Sequence, residues 1–123
     1  MKKEDIHTWV KALRSGKYKQ GKKFLCRRVD GKDKFCCLGV AIDVLCDGEW
    51  EYAASSDETE GHWKFNGTTR RGVDFNGSGL PRMETLKEIG LKPSTAHLLA
   101  DLNDGGRSFK EIASWIEKNL YRL

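Results

Sequence analysis

Apolar residues recur at helical spacing at both ends of this chain, and no such repeat runs through residues 49–80. Near the C-terminus, Ser108 and Glu111 form a capping-box pattern, and Phe109, Ile112, Ala113, Ile116 and Leu120 share one helical face. Near the N-terminus, Ile6, Trp9, Val10 and Leu13 recur at i, i+3, i+4 and i+7, with Asp5 as cap and Gly16 as stop. So short a helix is stable only if that face is docked against something else. Thr95, Leu98, Leu99 and Leu102 define another face, begun by Pro93 and ended by Asn103-Asp104-Gly105-Gly106. A further short helix is expected from Arg82 to Ile89, closed by Gly90. Leu38, Ala41, Ile42 and Leu45 predict one more, from the Cys36-Cys37 pair to about Cys46, with Gly48 supporting the stop.

Strand signals fill the gaps between these helices. Residues 23–29 and 34–37 read as a hairpin joined by Asp30-Gly31-Lys32-Asp33. Pairing Val29 with Lys34 sets Cys26 opposite Cys37, which suits two packed thiols or, under oxidising conditions, a disulfide. His62–Gly67 and Arg71–Phe75 read as two short strands paired across Gly67–Arg70, with Asn76–Gly79 as a loop. No internal repeat or long linker interrupts the chain. The expectation is a single α+β domain over residues 1–123, with helices packed on short antiparallel hairpins.

Its 123 residues, 38% of them hydrophobic, suffice for one domain with a real core. No apolar run approaches the length of a membrane span, and no apolar segment follows the lysine-rich start, so neither a span nor a secretory signal is predicted. Cys26, Cys36, Cys37 and Cys46 lack the paired C-x2–4-C knuckles of a zinc site. Buried thiols in a reducing cytoplasm are expected, with no metal and no cofactor.

Charge is distributed in blocks. Residues 1–34 hold twelve Lys/Arg against four Asp/Glu, whereas residues 43–60 hold seven acids and no base. These blocks either neutralise one another within the fold or form opposed surfaces. In the second case the basic run binds an anion. Lys17, Lys19, Lys22 and Lys23 supply charge, Tyr18 a stacking face, and Gly21 room for close approach. Strand alternation sends Arg27 and Arg28 to opposite faces, so one of them, taken as Arg28, joins the lysines. Arg70 and Arg71, near His62, Trp63 and Phe65, form a second basic set with Trp63 as an aromatic contact. The competing reading for both sets is a solvated surface over core aromatics.

Other chemistry is poorly supported. Read as a helix-turn-helix, the last helix would present Lys110, Glu111, Ser114, Glu117 and Lys118, a nearly neutral face ill suited to a phosphate backbone. His7, His62 and His97 lie in no local nucleophile motif, and the acids at 57, 58 and 60 sit in a loop. Phosphate-binding glycine loops and the usual hydrolase and zincin signatures are absent from the sequence.

Trp9–Gly21, Phe35-Cys36-Cys37-Leu38-Gly39-Val40, Leu102-Asn103-Asp104 and Phe109–Ala113 together resemble a family of small proteins found in bacteriophages and prophages. The resemblance covers most of the chain and implies action in the cytoplasm of an infected bacterial host. The function expected is non-catalytic: sequestering or blocking an anionic small molecule, such as a nucleotide, or an acidic host protein surface. Alternatives are a nucleic-acid binder without base specificity and a small enzyme using a Cys/His site. A homodimer is also expected to be possible, its basic start set against the acidic 43–60 segment of a second copy.

Overall fold

The computed structural model describes residues 1–54, 61–69, 74–77, 86–87 and 89–123. Its elements run α1 (Lys3–Arg14), β1 (Lys19–Gln20), β2 (Cys26–Val29), β3 (Lys32–Phe35), α2 (Cys37–Leu45), β4 (Cys46–Ala54), β5 (Gly61–Thr69), β6 (Asp74–Gly77), α3 (Pro93–Asp104) and α4 (Phe109–Lys118), with a closing 3-10 turn at Leu120–Arg122. This is an α+β fold. The strands join in one six-stranded sheet, a larger unit than separate short hairpins, in the order β1-β3-β2-β5-β4. β6 lies beside β5 on the edge that β2 also uses, while β4 pairs along the whole of the other edge. Only β1 with β3 is parallel among these pairings.

One face of the sheet covers the helices. Cys26, Phe35, Trp50 and Phe65 share it by register. Tyr18, Phe35, Trp50 and Phe65 form an aromatic file with edge-to-face contacts at 5.0, 5.7 and 5.0 Å. Behind it lies α2, which is buried on nearly every side because its sequence is apolar almost throughout. The Trp9 indole on α1 donates to the Cys37 carbonyl at 2.9 Å, fixing α1 against the start of α2. Gly39 touches the chain at Leu25 so closely that a Cβ there would lie 1.8 Å from the Leu25 carbonyl oxygen.

The first hairpin differs from expectation in register. Asp30 and Gly31 both adopt positive φ, 51° and 73°, and make a two-residue turn that pairs Val29 with Lys32. Cys26 therefore opposes Phe35 rather than Cys37, which is already inside α2, and all four cysteines are free and buried. The Asp-Gly step is the turn, and Lys32-Asp33 belongs to the strand. β4 has no counterpart among the strands expected from the sequence. β5 runs on through Gly67–Thr69, and Asn76-Gly77 belongs to β6. Of the helix expected over Arg82–Ile89, Leu86, Lys87 and Ile89 are helical, and the other positions lie outside the described residues.

Candidate functional site

The basic run is held from below by the end of α3. Gln20 donates to the Asn103 side-chain oxygen at 3.0 Å and to the Arg107 carbonyl at 2.6 Å, and accepts from the Phe109 backbone N–H at 3.1 Å. Asn103 donates to the Gly21 carbonyl at 2.7 Å, and Asp104 accepts the Lys23 backbone N–H at 3.0 Å. Lys23 sits at φ 71°, a left-handed conformation that a lysine adopts only under constraint. Asn103-Asp104 thus clamps the backbone of residues 20–23, while Lys17, Lys19, Lys22 and Lys23 extend into solvent. None of these four side chains makes an ion pair with a described residue.

Tyr18 is committed to the fold. Its ring packs edge-on against Phe35, and its hydroxyl donates to Asp43, which also accepts from the Trp50 indole at 3.0 Å. Burial, reinforced by the Asp43 carboxylate, drives the phenol pKa well above its usual value. Part of the acidic block is thereby spent inside the molecule.

Strand register places a row of cations on the sheet face turned away from the helices. Lys19 pairs with Lys34, and Lys34 pairs with Arg27 on its other side. Neighbouring strands lie about 4.8 Å apart, so the three residues stand within roughly 10 Å. The alternation rule separates the arginines as expected, but the one that joins Lys19 is Arg27. On the same outer face, at the far side of the sheet, β4 presents the exposed Glu49 and Glu51. The face is therefore dipolar, basic over β1-β3-β2 and acidic at β4. The sequence reading weighs Arg27 but chooses Arg28 and leaves out Lys34, because the parallel pairing that sets Lys19 beside Lys34 has no local signal.

Arg28 and Trp63 are brought together on the opposite, aromatic face. The Arg28 guanidinium lies 4.4 Å from the Tyr52 ring centre and 5.1 Å from that of Trp63. Its Nε donates to Asp33 at 3.1 Å, and the Trp63 indole donates to the same carboxylate oxygen at 2.8 Å. The Asp33 hydrogen bond holds the guanidinium even more firmly protonated. Tyr52 and Asp33 complete a cluster that no local motif announces. Arg70 and Arg71 lie outside the described residues.

Two clefts bear on chemistry. One, of about 400 Å³, is lined by Lys23, Cys36, His97, Asp101 and Asp104 over an apolar floor. Cys36 caps α2, its sulfur accepting the Gly39 N–H at 3.3 Å, but burial pushes its thiol up to about 11. So buried a thiol stays protonated at neutral pH, and it shares the cleft lining with His97. Among the described residues, no three His, Cys, Asp or Glu side chains converge as a metal set. The other cleft, about 520 Å³, is a groove between α3 and α4 around Trp115. No helix among the described residues is long and apolar enough to cross a membrane.

A model of the family described as "Domain of unknown function (DUF8296)" matches residues 1–120. No curated protein and no solved structure matches the chain.

Proposed function

The chain belongs to the DUF8296 family, whose description carries no activity, and from its geometry we propose a non-catalytic protein that binds a polyanion on the basic half of its outer sheet face. One observation carries this reading: Lys19, Lys34 and Arg27 stand in direct cross-strand register, without an acidic partner among the described residues. Like charges so placed disfavour the fold, and a bound anion relieves them. Lys17 adds to the field, and Lys22 and Lys23 extend it from a clamped backbone, so little backbone ordering is required when a ligand arrives. Tyr18 and Arg28 support the fold around this surface. Given the resemblance to phage and prophage proteins, the polyanion it sequesters belongs to the bacterial host.

The test is titration of labelled single-stranded DNA, duplex DNA and a nucleoside triphosphate across a salt series. Affinity should fall as salt rises, in proportion to the counterions released, and Lys34→Glu should weaken it at least about tenfold. Failure of all three ligands at low salt removes the phosphate reading. If host proteins recovered in pull-downs are also unchanged by Lys19→Glu/Lys34→Glu, the basic face is not the site.

A further inference from the structure

We infer that the groove between α3 and α4 docks an acidic amphipathic helix of a partner protein. Residues 110, 111, 114, 115 and 118 line it from one stripe of α4, and Ile112 reaches it from the stripe with Phe109, Ala113 and Ile116 that enters the core. Leu102 of α3 and Trp115 give this groove an apolar floor, and both remain partly exposed. Its volume, about 520 Å³, accommodates one or two large side chains.

Charge on the rim selects the occupant. Glu111 is already used: it accepts from Arg107 at 3.2 Å and from the Ser108 backbone N–H at 3.2 Å, contacts that hold its carboxyl below the usual range. Glu117, further along α4, is paired with Arg14, which also donates to Ser114 at 3.2 Å. Arg122 lies over the Trp115 ring at 5.5 Å. Lys110 and Lys118 make no ion pair with any described residue. Eight residues apart on one helix, they stand roughly 12 Å from each other across Trp115. An apolar floor between two cations unpaired among the described residues matches a helix bearing Leu or Phe on one face and carboxylates two turns apart. The surface differs from the basic sheet face in residues and in ligand, so it stands or falls independently of the polyanion reading.

Three fluorescein-labelled peptides test it: a helical one with Leu on one stripe and Glu residues eight apart, a counterpart with Lys for Glu, and a scrambled one. Anisotropy should show binding of the Glu peptide to the wild-type chain and weaker or no binding of the other two. Lys110→Glu/Lys118→Glu, both exposed positions, should lose at least about tenfold in affinity for the Glu peptide and gain affinity for the Lys peptide. Lys34→Glu should leave this binding unchanged. Equal binding of the Glu and Lys peptides, no binding at about 1 mM, or indifference to the double reversal overturns the proposal. Self-association of the wild-type chain that disappears in the double variant also overturns it, assigning the groove to a second copy.

Discussion

The Asn103 side-chain oxygen accepts the backbone N–H of Cys37 at 3.1 Å, across 66 residues of sequence, while its amide donates to the Gly21 carbonyl at 2.7 Å. One fully buried side chain thus satisfies the first N–H of α2 and ties it to the end of β1 and to α3. The same oxygen also receives Gln20, so the hub joins three elements that are distant in the chain.

Removing that hub strands one buried and one part-buried backbone group at once. Asn103→Leu leaves the Cys37 N–H and the Gly21 carbonyl without their partner, each worth about 1–3 kcal/mol when orphaned. We expect a loss of roughly 3 kcal/mol or more, read as a fall in the urea midpoint. Loss below about 1 kcal/mol would show that water replaces the amide at little cost.

Gly39 offers a second, purely steric check. An alanine there would drive its Cβ into the Leu25 carbonyl, and both segments are backbone, so neither yields easily. Gly39→Ala should cost at least about 3 kcal/mol or prevent folding, above the usual range for overpacking. By contrast, Lys110→Ala, on an exposed helix position, should change stability by less than about 0.5 kcal/mol. Similar denaturation midpoints for the two variants would contradict the close approach of α2 to the β2 segment.

Local signals were legible, and distant ones were not. The capping box at Ser108 and Glu111 forms with both of its hydrogen bonds, because its partners lie three residues apart. α2 begins at the cysteine pair as its apolar spacing requires. Glu49, Trp50, Glu51 and Tyr52 carry the period-two alternation of a strand, but over only four residues within an acidic block, too short a run to stand out from a loop. In sequence Asn103-Asp104 is only a helix stop, since nothing nearby reveals its partners at Gln20, Gly21 and Lys23. Likewise, the row of Lys19, Lys34 and Arg27 exists only once β1 is laid parallel to β3, a pairing without a local turn to announce it.

The buried thiols set a pH window for stability. Cys36 titrates at about 11 in the fold against 9.0 unperturbed, because burial penalises the thiolate. Its folded pKa is raised, so its contribution is complete below pH 9 and is lost as pH climbs through 11. A shift of two units corresponds to about 3 kcal/mol at the alkaline end. Burial pushes Cys37 and Cys26 in the same direction. Denaturation midpoints should be flat through neutral pH and decline above pH 9, and Cys36→Ser should shrink that decline. Alkylation by iodoacetamide at neutral pH should be slow until denaturant is added. A rapidly reacting native Cys36 would restore the Cys/His site as a catalytic reading.

Lys34 separates stability from binding. It stands between Lys19 and Arg27, so reversing its charge converts two repulsive cross-strand contacts into attractive ones. Lys34→Glu should therefore raise stability by a few tenths to about 1 kcal/mol at low ionic strength. The gain should shrink in high salt, where exposed charges are screened. The same change should weaken polyanion binding, because it places a carboxylate at the centre of the row. Lys34→Gln should lie between wild type and Lys34→Glu in both respects. If Lys34→Glu instead lowers stability at low salt, the three side chains diverge into solvent and the row is no concentrated cationic site. A rise in stability accompanied by unchanged affinity would leave the repulsion real but move the binding surface elsewhere on the basic run.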